Sequence, residues 1–180
     1  MTITVARWKI DDYHAMTEAG LLIGRQVELL NGLIIEMSPE GPLHSSLNRD
    51  TGELFRSKLG SRARVSEGKP ITLINNSEPE PDIAIIRPGS YRESHPSQDD
   101  VYLVIEFSNS SLAKDLNEKR LVYAGAKIQE YWVVNLRDRQ LIVFRNSVNG
   151  DYQSEQKLTG GLISPLAFPD IIIEVSQLLN

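Results

Sequence analysis

The chain has 180 residues, the size of one domain, since compact domains usually run about 100 to 200 residues. Its composition, 41% hydrophobic and 24% charged, excludes wholesale disorder. The absence of cysteine excludes a disulfide framework, a thiolate metal site and a cysteine nucleophile. No apolar run approaches the roughly 18 residues of a membrane span, and the N-terminus does not resemble a secretory signal. We therefore expect a single cytoplasmic domain over residues 1–180, without membrane contact.

The formal charge of −5, from 24 acidic and 19 basic residues, argues against nucleic-acid binding by bulk electrostatics. The charge is nevertheless uneven along the chain. Between positions 56 and 69 a local charge of +4 results from five basic residues and one acid: Arg56, Lys58, Arg62, Arg64, Lys69 and Glu67. This segment is typical either of a solvated helix end and strand or of a phosphate-binding patch.

The first third of the chain predicts helix, hairpin and helix. Asp11 and Asp12 can cap a short helix that reaches Ala19. Asn31-Gly32 separates two apolar runs and predicts a tight β-hairpin turn, because both residues accept positive φ. Apolar residues at helical spacing predict a second helix over 45–59, ending at Gly60.

The rest of the chain predicts a sheet interrupted by one helix. The predicted strands cover 63–66, 70–74, 81–86, 101–107, 129–135 and 140–145, with a weak strand around Tyr152 and an apolar run over 171–175. The run 101–107 is almost entirely apolar and predicts a central strand covered on both faces. A helix is predicted from Ser110 or Ser111 to about Ala124. This order predicts an α/β fold, with a mixed central β-sheet flanked by helices.

Two acids interrupt the apolar strands. Asp82 opens one strand, and Glu106 lies within the most apolar run. A buried carboxylate needs a hydrogen-bonding partner or a metal, because desolvation otherwise costs several kcal/mol. If the strands are neighbours, both acids can bind one hard cation such as Mg²⁺. Alternatively, Asp82 caps a strand end and Glu106 pairs with a nearby lysine.

A basic residue on the next helix completes a candidate catalytic set. Asp115 and Lys119 lie four residues apart and share a helix face in the favourable order for an ion pair. The helix should return over the sheet, where the Lys119 ammonium can approach Glu106. Two strand acids and this lysine indicate a phosphodiesterase site.

These motifs resemble those of a known superfamily. Pro81-Asp82, 23 intervening residues and Glu106-Phe107-Ser108 resemble the PD-(D/E)XK nuclease signature, with Ser108 at the usual lysine position. Lys119 is the expected substitute for that lysine. A wider set of segments is similar to the Uma-two family of predicted restriction endonucleases, over nearly the whole chain: 28–32, 37–39 with His44, 78–82, 104–108, Asp115 with Lys119 and Tyr123, and 130–134.

The resemblance implies a restriction-endonuclease-like core and Mg²⁺-dependent hydrolysis of DNA, with Mn²⁺ as a possible substitute. It implies that Asp82, Glu106 and the Phe107 carbonyl bind the metal, and that Lys119 activates water and stabilises the transition state. Glu28 is expected near the metal, or else as a surface hairpin residue. Asp115 is expected to hold Lys119.

Three residues have weaker claims to supporting roles. His44 can contact a phosphate or donate a proton, but it is equally typical of a local hydrogen-bonding residue. Tyr123 lies one turn beyond Lys119 and can reach the site, although a core tyrosine is the better expectation. Tyr131 and Trp132 are expected in the core or at a subunit interface. His14 and His95 have no evident partners, and the three histidines lack zinc-type spacing.

Three functions remain open from the sequence. The first is a metal-dependent DNA endonuclease, and duplex cleavage then favours a homodimer with two sites. The second is a catalytically inactive nuclease-fold module that binds nucleic acid or protein. The third is a hydrolase that acts on a small phosphorylated molecule.

Overall fold

The fold is organised around a six-stranded mixed sheet, seen in a computed structural model that describes residues 4–180. The strand order is β3-β4-β5-β6-β7-β8. Only β5 and β6 are parallel, and the other neighbours are antiparallel. The strands of this sheet are β3 (Arg64–Glu67), β4 (Ile83–Ile86), β5 (Val101–Ser108), β6 (Glu130–Asn135), β7 (Gln140–Val148) and β8 (Asp151–Leu158).

The helices lie on the two faces of this sheet, except the first, which packs on the hairpin of residues 27–36. They are α1 (Ile10–Glu18), α2 (Pro42–Leu59), α3 (Leu112–Lys114), α4 (Arg120–Gly125) and α5 (Ser176–Leu179), with a π-helical turn, Asp115–Lys119, joining α3 to α4. One apolar cluster combines α2 and α5 residues with the sheet, and a second combines α4 residues with the opposite sheet face. The predicted mixed sheet flanked by helices is confirmed.

The N-terminal hairpin forms as its turn residues predict. Strands β1 (Val27–Leu30) and β2 (Leu33–Glu36) pair in antiparallel register. Asn31 and Gly32 have φ of 48° and 77°, as this tight turn requires. A Cβ on Gly32 would lie 2.8 Å from the Trp8 carbonyl oxygen, so the turn also needs glycine for the close approach of the chain.

The predicted central strand is β5, with β4 and β6 on either side. The side chains from Leu103 to Ser108 are all buried, which explains the nearly continuous apolar run. Trp132 and Tyr131 on β6 are fully buried, so the core expectation for this pair is confirmed.

Several predicted boundaries were wrong. The segment 70–74 forms only isolated bridges, Thr72 with Ser97 and Leu73 with Ser77, instead of a strand. Helix α2 begins at Pro42 with Gly41 as its N-cap, earlier than predicted, because proline is favoured in the first helical turn. The weak strand around Tyr152 is the eight-residue β8, whose outward residues are polar because it forms a sheet edge.

The C-terminal apolar run 171–175 contributes only a short strand. Strands β9 (Leu162–Ile163) and β10 (Ile173–Glu174) form a separate two-stranded sheet. Across residues 4–180, none of the helices has the length and apolarity needed to cross a membrane.

Candidate active site

The two strand acids meet where β4 begins and β5 ends. The register pairs Ile83 with Ile105, which brings Asp82 opposite Glu106. The Phe107 N–H donates to Asp82 Oδ2 at 2.6 Å, and the Asp82 N–H points to Glu106 Oε2 at 3.5 Å. Antiparallel pairing of these strands therefore fixes both carboxylates side by side.

Glu106 is buried and held by two donors. Lys119 Nζ and the Tyr123 hydroxyl both donate to Glu106 Oε1, at 2.9 and 2.7 Å. Burial raises the pKa of Glu106 to about 8, although the Lys119 ammonium opposes the shift. Oε2 is the oxygen of this carboxylate nearest to Asp82, so it is the one available to a further ligand.

Lys119 lies between two buried acids. Its Nζ is 2.9 Å from Glu106 Oε1 and 3.1 Å from Glu28 Oε2, which comes from β1. Burial alone would lower the pKa of Lys119, but Glu106 and then Glu28 raise it above its usual value. Lys119 therefore remains a cation at neutral pH.

Glu28 is fully buried and belongs to this cluster, so a surface position for it is excluded. Burial would raise its pKa, but the ammonium groups of Lys119 and Lys114 bring the pKa of Glu28 below its ordinary value. Lys114 Nζ donates to Glu28 Oε1 at 2.9 Å. Glu28 thus connects two lysines from one helical segment.

The π-helical turn explains why two lysines five residues apart reach the same acid. At 100° per residue, positions five apart on a regular α-helix point about 140° away from each other. The π turn, Asp115–Lys119, accommodates an extra residue and brings Lys114 and Lys119 to one side. Lys114 was not predicted as a site residue, because an α-helical period does not align it with Lys119.

The expected contact between Asp115 and Lys119 is wrong. Asp115 Oδ2 instead accepts a 2.7 Å hydrogen bond from Ser108 Oγ, and both residues are buried. No ion pair joins Asp115 to Lys119 within residues 4–180. Each side chain has a different tertiary partner, since Asp115 is directed to Ser108 on β5 and Lys119 to Glu106 and Glu28.

His44 lies on the other side of Asp82. Its Nε2 is 3.0 Å from Asp82 Oδ2, and its ring centroid is 5.8 Å from that of Phe107. Burial would lower the pKa of His44, but Asp82 and then Glu40 raise it above the usual value. His44 enters the site from the first turn of α2, whose early start at Pro42 was not predicted.

Oxygen and nitrogen ligand atoms converge at the mouth of the site. Glu40, His44 and Asp82 each offer one such atom, all within 4.8 Å of one another. Glu40 was not predicted, although it stands four residues before His44. These groups, with Glu106 Oε2 nearby, fit a divalent cation, because Mg²⁺ prefers carboxylate oxygens and imidazole also suits Mn²⁺.

A cleft of about 530 Å³ opens over these groups. Residues from α2, from both acid-bearing strands and from the π-helical segment line it: Glu40, His44, Asp82, Glu106, Phe107, Lys114, Asp115 and Lys119. Seven of these side chains carry ionisable groups. Such a cleft suits a charged, polar substrate better than an apolar one.

His14 has a partner that the sequence did not indicate. Its Nε2 lies 2.8 Å from Glu78 Oε1, and Thr72 Oγ1 donates to the other oxygen of the same carboxylate at 2.8 Å. The buried Glu78 carboxylate thus connects His14 on α1 to Thr72 in the segment that precedes β4.

Comparisons with known proteins agree with this fold. Residues 10–176 match the model of the Uma2 (Uma-two) family, described as "Putative restriction endonuclease". A crystal structure described as a putative nuclease belonging to DUF820, from Anabaena variabilis, is similar with a TM-score of 0.73 and 15% identity. The likeness covers 94% of this chain and 96% of that chain. No curated protein matches this chain.

Proposed function

Since the chain belongs to the Uma2 family, described as "Putative restriction endonuclease", we propose that it is a divalent-metal-dependent endonuclease that hydrolyses DNA. The observation that carries this proposal is the contact between Lys119 and Glu106, beside Asp82. The two strand acids can hold a divalent ion, and the ammonium that Lys119 places on Glu106 can stabilise charge on a phosphodiester bound beside it. Asp82, Glu106 and the Phe107 carbonyl are the proposed metal-binding groups, with Glu40 and His44 as further donors.

The metal, when bound, supplies Lewis-acid polarisation of a phosphodiester oxygen and lowers the pKa of a coordinated water. Mg²⁺ is the ion we expect, with Mn²⁺ as an effective substitute because of the nearby imidazole. Glu106 would hold the ion as a carboxylate, the form that the Lys119 ammonium favours and that burial opposes.

Lys119 orients the attacking water and stabilises the negative charge that develops on the phosphate. Its charge is fixed, because Glu106 and Glu28 keep it protonated at neutral pH. A pre-positioned cation in a site that excludes bulk water stabilises a transition state more than the same charge in solution.

The remaining groups position these residues. The Tyr123 hydroxyl and Lys119 fix one oxygen of Glu106 and leave the other toward Asp82. Lys114 neutralises Glu28, so Lys119 need not do so alone. Ser108 fills the usual lysine position with a hydroxyl that anchors Asp115 and the π turn.

The experiment is incubation of purified protein with supercoiled plasmid and with single-stranded DNA, in Mg²⁺, Mn²⁺ or EDTA. We expect cleavage only with a divalent ion, and its loss in Asp82→Asn, Glu106→Gln and Lys119→Met. Glu155→Gln and Lys157→Met are matched controls, because both residues lie on β8 at the far edge of the sheet.

Cleavage that persists in all three site variants would come from a contaminant and would overturn the proposal. Metal-independent DNA binding without cleavage would instead favour the inactive nuclease-fold module. A duplex cut in both strands by a protein that sediments as a dimer would support the proposed homodimer, with one strand cut by each site.

A further inference from the structure

A second cleft, of about 720 Å³, lies along the edge strand β3. Four of its lining residues can carry positive charge: Arg64, Lys69, Arg92 and His95. Among the described residues, no aspartate or glutamate belongs to the lining. We call these four residues and the space between them the basic cleft.

The charges of the basic cleft are not neutralised by ion pairs. Within residues 4–180, no carboxylate lies within salt-bridge distance of Arg64, Lys69 or Arg92. This separates them from the other arginines of the basic segment, since Arg56 pairs with Glu67 and Arg62 pairs with Asp170. Unpaired cations gathered on one concave surface are unusual in a chain of net charge −5.

Contacts with the neighbouring loop hold the Arg64 side chain of the basic cleft in a defined position. The Arg64 guanidinium lies 5.9 Å from the centroid of the Tyr91 ring and donates to the Gly89 carbonyl. Asp100, the nearby acid, is engaged at the Ser97 turn, where its Oδ2 accepts from both the N–H and the hydroxyl of Ser97. The arginine is therefore held in place, and the Asp100 carboxylate lies beside the Tyr91 hydroxyl at the margin of the cleft.

The basic cleft lies on the same sheet face as the candidate active site. Arg64 and Ser66 pair with Ile86 and Ala84, whose side chains belong to the apolar cluster beneath α4, on the face of Glu106. Gly68, which lines the active-site cleft, immediately precedes Lys69, which lines the basic cleft. The Gly68 N–H is 3.2 Å from the Asp82 carbonyl oxygen, so the two clefts adjoin.

The distance between the clefts suits a nucleic-acid strand. Arg64 lies three residues along β3 from Glu67, which pairs with Ile83 beside Asp82. Three residues of strand span about 10 Å, which equals the rise of about three base pairs along the axis of a duplex at 3.4 Å each. A DNA duplex can therefore reach both clefts.

We propose that the basic cleft binds the phosphate backbone of duplex DNA, a few nucleotides away from the bond held at Asp82 and Glu106. This inference rests on the proposed nuclease function and adds the surface that positions the substrate. Arg64 and Lys69 on the edge of the sheet, with Arg92 from the adjoining loop, contact successive phosphates. Such contacts fix the register of the duplex without reading its sequence.

The test compares the double variant Lys69→Gln/Arg92→Gln with the control Lys127→Gln/Lys157→Gln. The two variants remove the same charge, and all four side chains are exposed, so folding should survive. Binding of a fluorescently labelled duplex is measured by anisotropy in EDTA over a series of NaCl concentrations. Cleavage of plasmid by the same proteins is measured with Mn²⁺.

We expect the cleft variant to bind duplex DNA roughly 10-fold or more weakly at low salt. The slope of log affinity against log salt should fall by about 2, one for each phosphate that the two replaced cations would otherwise neutralise. The control should match the wild type. Inorganic phosphate at millimolar concentration should not displace the duplex, since a single free phosphate cannot bind several cations along the cleft as a backbone does.

Equal affinity and equal salt slope in the cleft variant and the control would overturn the inference. If the wild type cleaves DNA in the presence of metal and the cleft variant cleaves identically, the basic cleft has no part in substrate binding, while the proposed function stands. If the wild type neither cleaves nor depends on Asp82, the proposed function fails. Full displacement by phosphate would assign the cleft to a small anion instead.

Discussion

Lys119 Nζ donates to Glu106 Oε1 at 2.9 Å, and both side chains are almost completely removed from water. The lysine approaches from a helical segment and the glutamate from the central strand β5. This hydrogen bond connects the helical layer to the central strand of the sheet.

Lys119→Met should destabilise the protein strongly. It removes the ammonium that pairs with Glu106, while Lys114 still pairs with Glu28, and breaking a buried pair in this way costs about 3 to 5 kcal/mol. Urea unfolding of the metal-free protein measures the change in the free energy of unfolding. Lys127→Met is the control, since Lys127 is exposed and does not line the active-site cleft. A decrease no greater than in the control would contradict the buried ion pair.

Lys114→Met should lower the free energy of unfolding much less than Lys119→Met. Lys114 is about a quarter exposed, and Glu28 still pairs with Lys119 when the Lys114 ammonium is removed. We expect a decrease in the free energy of unfolding of about 1 kcal/mol, within the range of partly solvated ion pairs. The same urea titration ranks the two variants, and the opposite order would contradict the deeper burial of Lys119 and its pairing with two acids.

Ser108 and Asp115 should show strong energetic coupling. The Ser108 hydroxyl donates to Asp115 Oδ2 at 2.7 Å, and removing it leaves a buried carboxylate without this donor. Ser108→Ala should therefore cost about 1 to 3 kcal/mol. In a double-mutant cycle with Asp115→Asn, an interaction energy above about 0.5 kcal/mol is expected. Additive effects of the two substitutions would show that the hydrogen bond does not contribute.

Divalent metal should stabilise the folded protein even without DNA. A metal that binds only the folded state at 100 times its dissociation constant adds about 2.7 kcal/mol. Thermal unfolding in Mn²⁺ and in EDTA measures this difference. Asp82→Asn should abolish the shift, while Asp11→Asn in the exposed first turn of α1 should retain it. An equal shift in both variants would place the metal elsewhere.

The tyrosines of the second apolar cluster should resist ionisation at alkaline pH. Burial raises the pKa of Tyr131 and of Tyr152 well above 10. Because the folded state favours the protonated phenols, their contribution to stability is present below pH 10 and is lost as the pH rises above it. Absorbance at the phenolate band should therefore show these groups titrating only together with unfolding, as followed by circular dichroism.

Tyr152→Phe provides the control for this titration. The Tyr152 hydroxyl is buried and has no hydrogen-bond partner among residues 4–180, so its removal should cost little or even stabilise the protein. The variant should lose one phenol from the unfolding-linked step. Titration of all tyrosines before unfolding would contradict the buried positions.

The hairpin and the central strand show how far local pattern predicts structure. Asn31-Gly32 accepts the positive φ angles of a tight hairpin turn. The nearly continuous apolar run of β5 is typical of a strand that is covered on both faces. The strand predicted over 70–74 was wrong, although the composition of this segment permits a strand. Strand formation also needs a neighbouring strand with free backbone groups, and this segment forms only isolated bridges.

The candidate site was predicted in part. Asp82, Glu106 and Lys119 were conspicuous because charges interrupt or follow apolar segments. Lys114 and Glu40 were not recognised as candidate site residues. The π turn decides the position of Lys114, and the packing of the chain before α2 decides the position of Glu40. The expected pair of Asp115 with Lys119 followed from the four-residue spacing alone, whereas tertiary contacts direct Asp115 to Ser108 and Lys119 to Glu106 and Glu28.

The amino-acid order alone determined the succession of elements and the presence of two acids in apolar strands, because periodicity and the cost of burying charge act locally. Only the folded chain decided which charges became partners. Glu28 and Lys119 lie on elements distant in sequence, and their ion pair depends on how the hairpin packs and on one extra residue in a helical turn. Likewise, the unpaired cations of the basic cleft became distinguishable from their paired neighbours only after the sheet edge and its loop had come together.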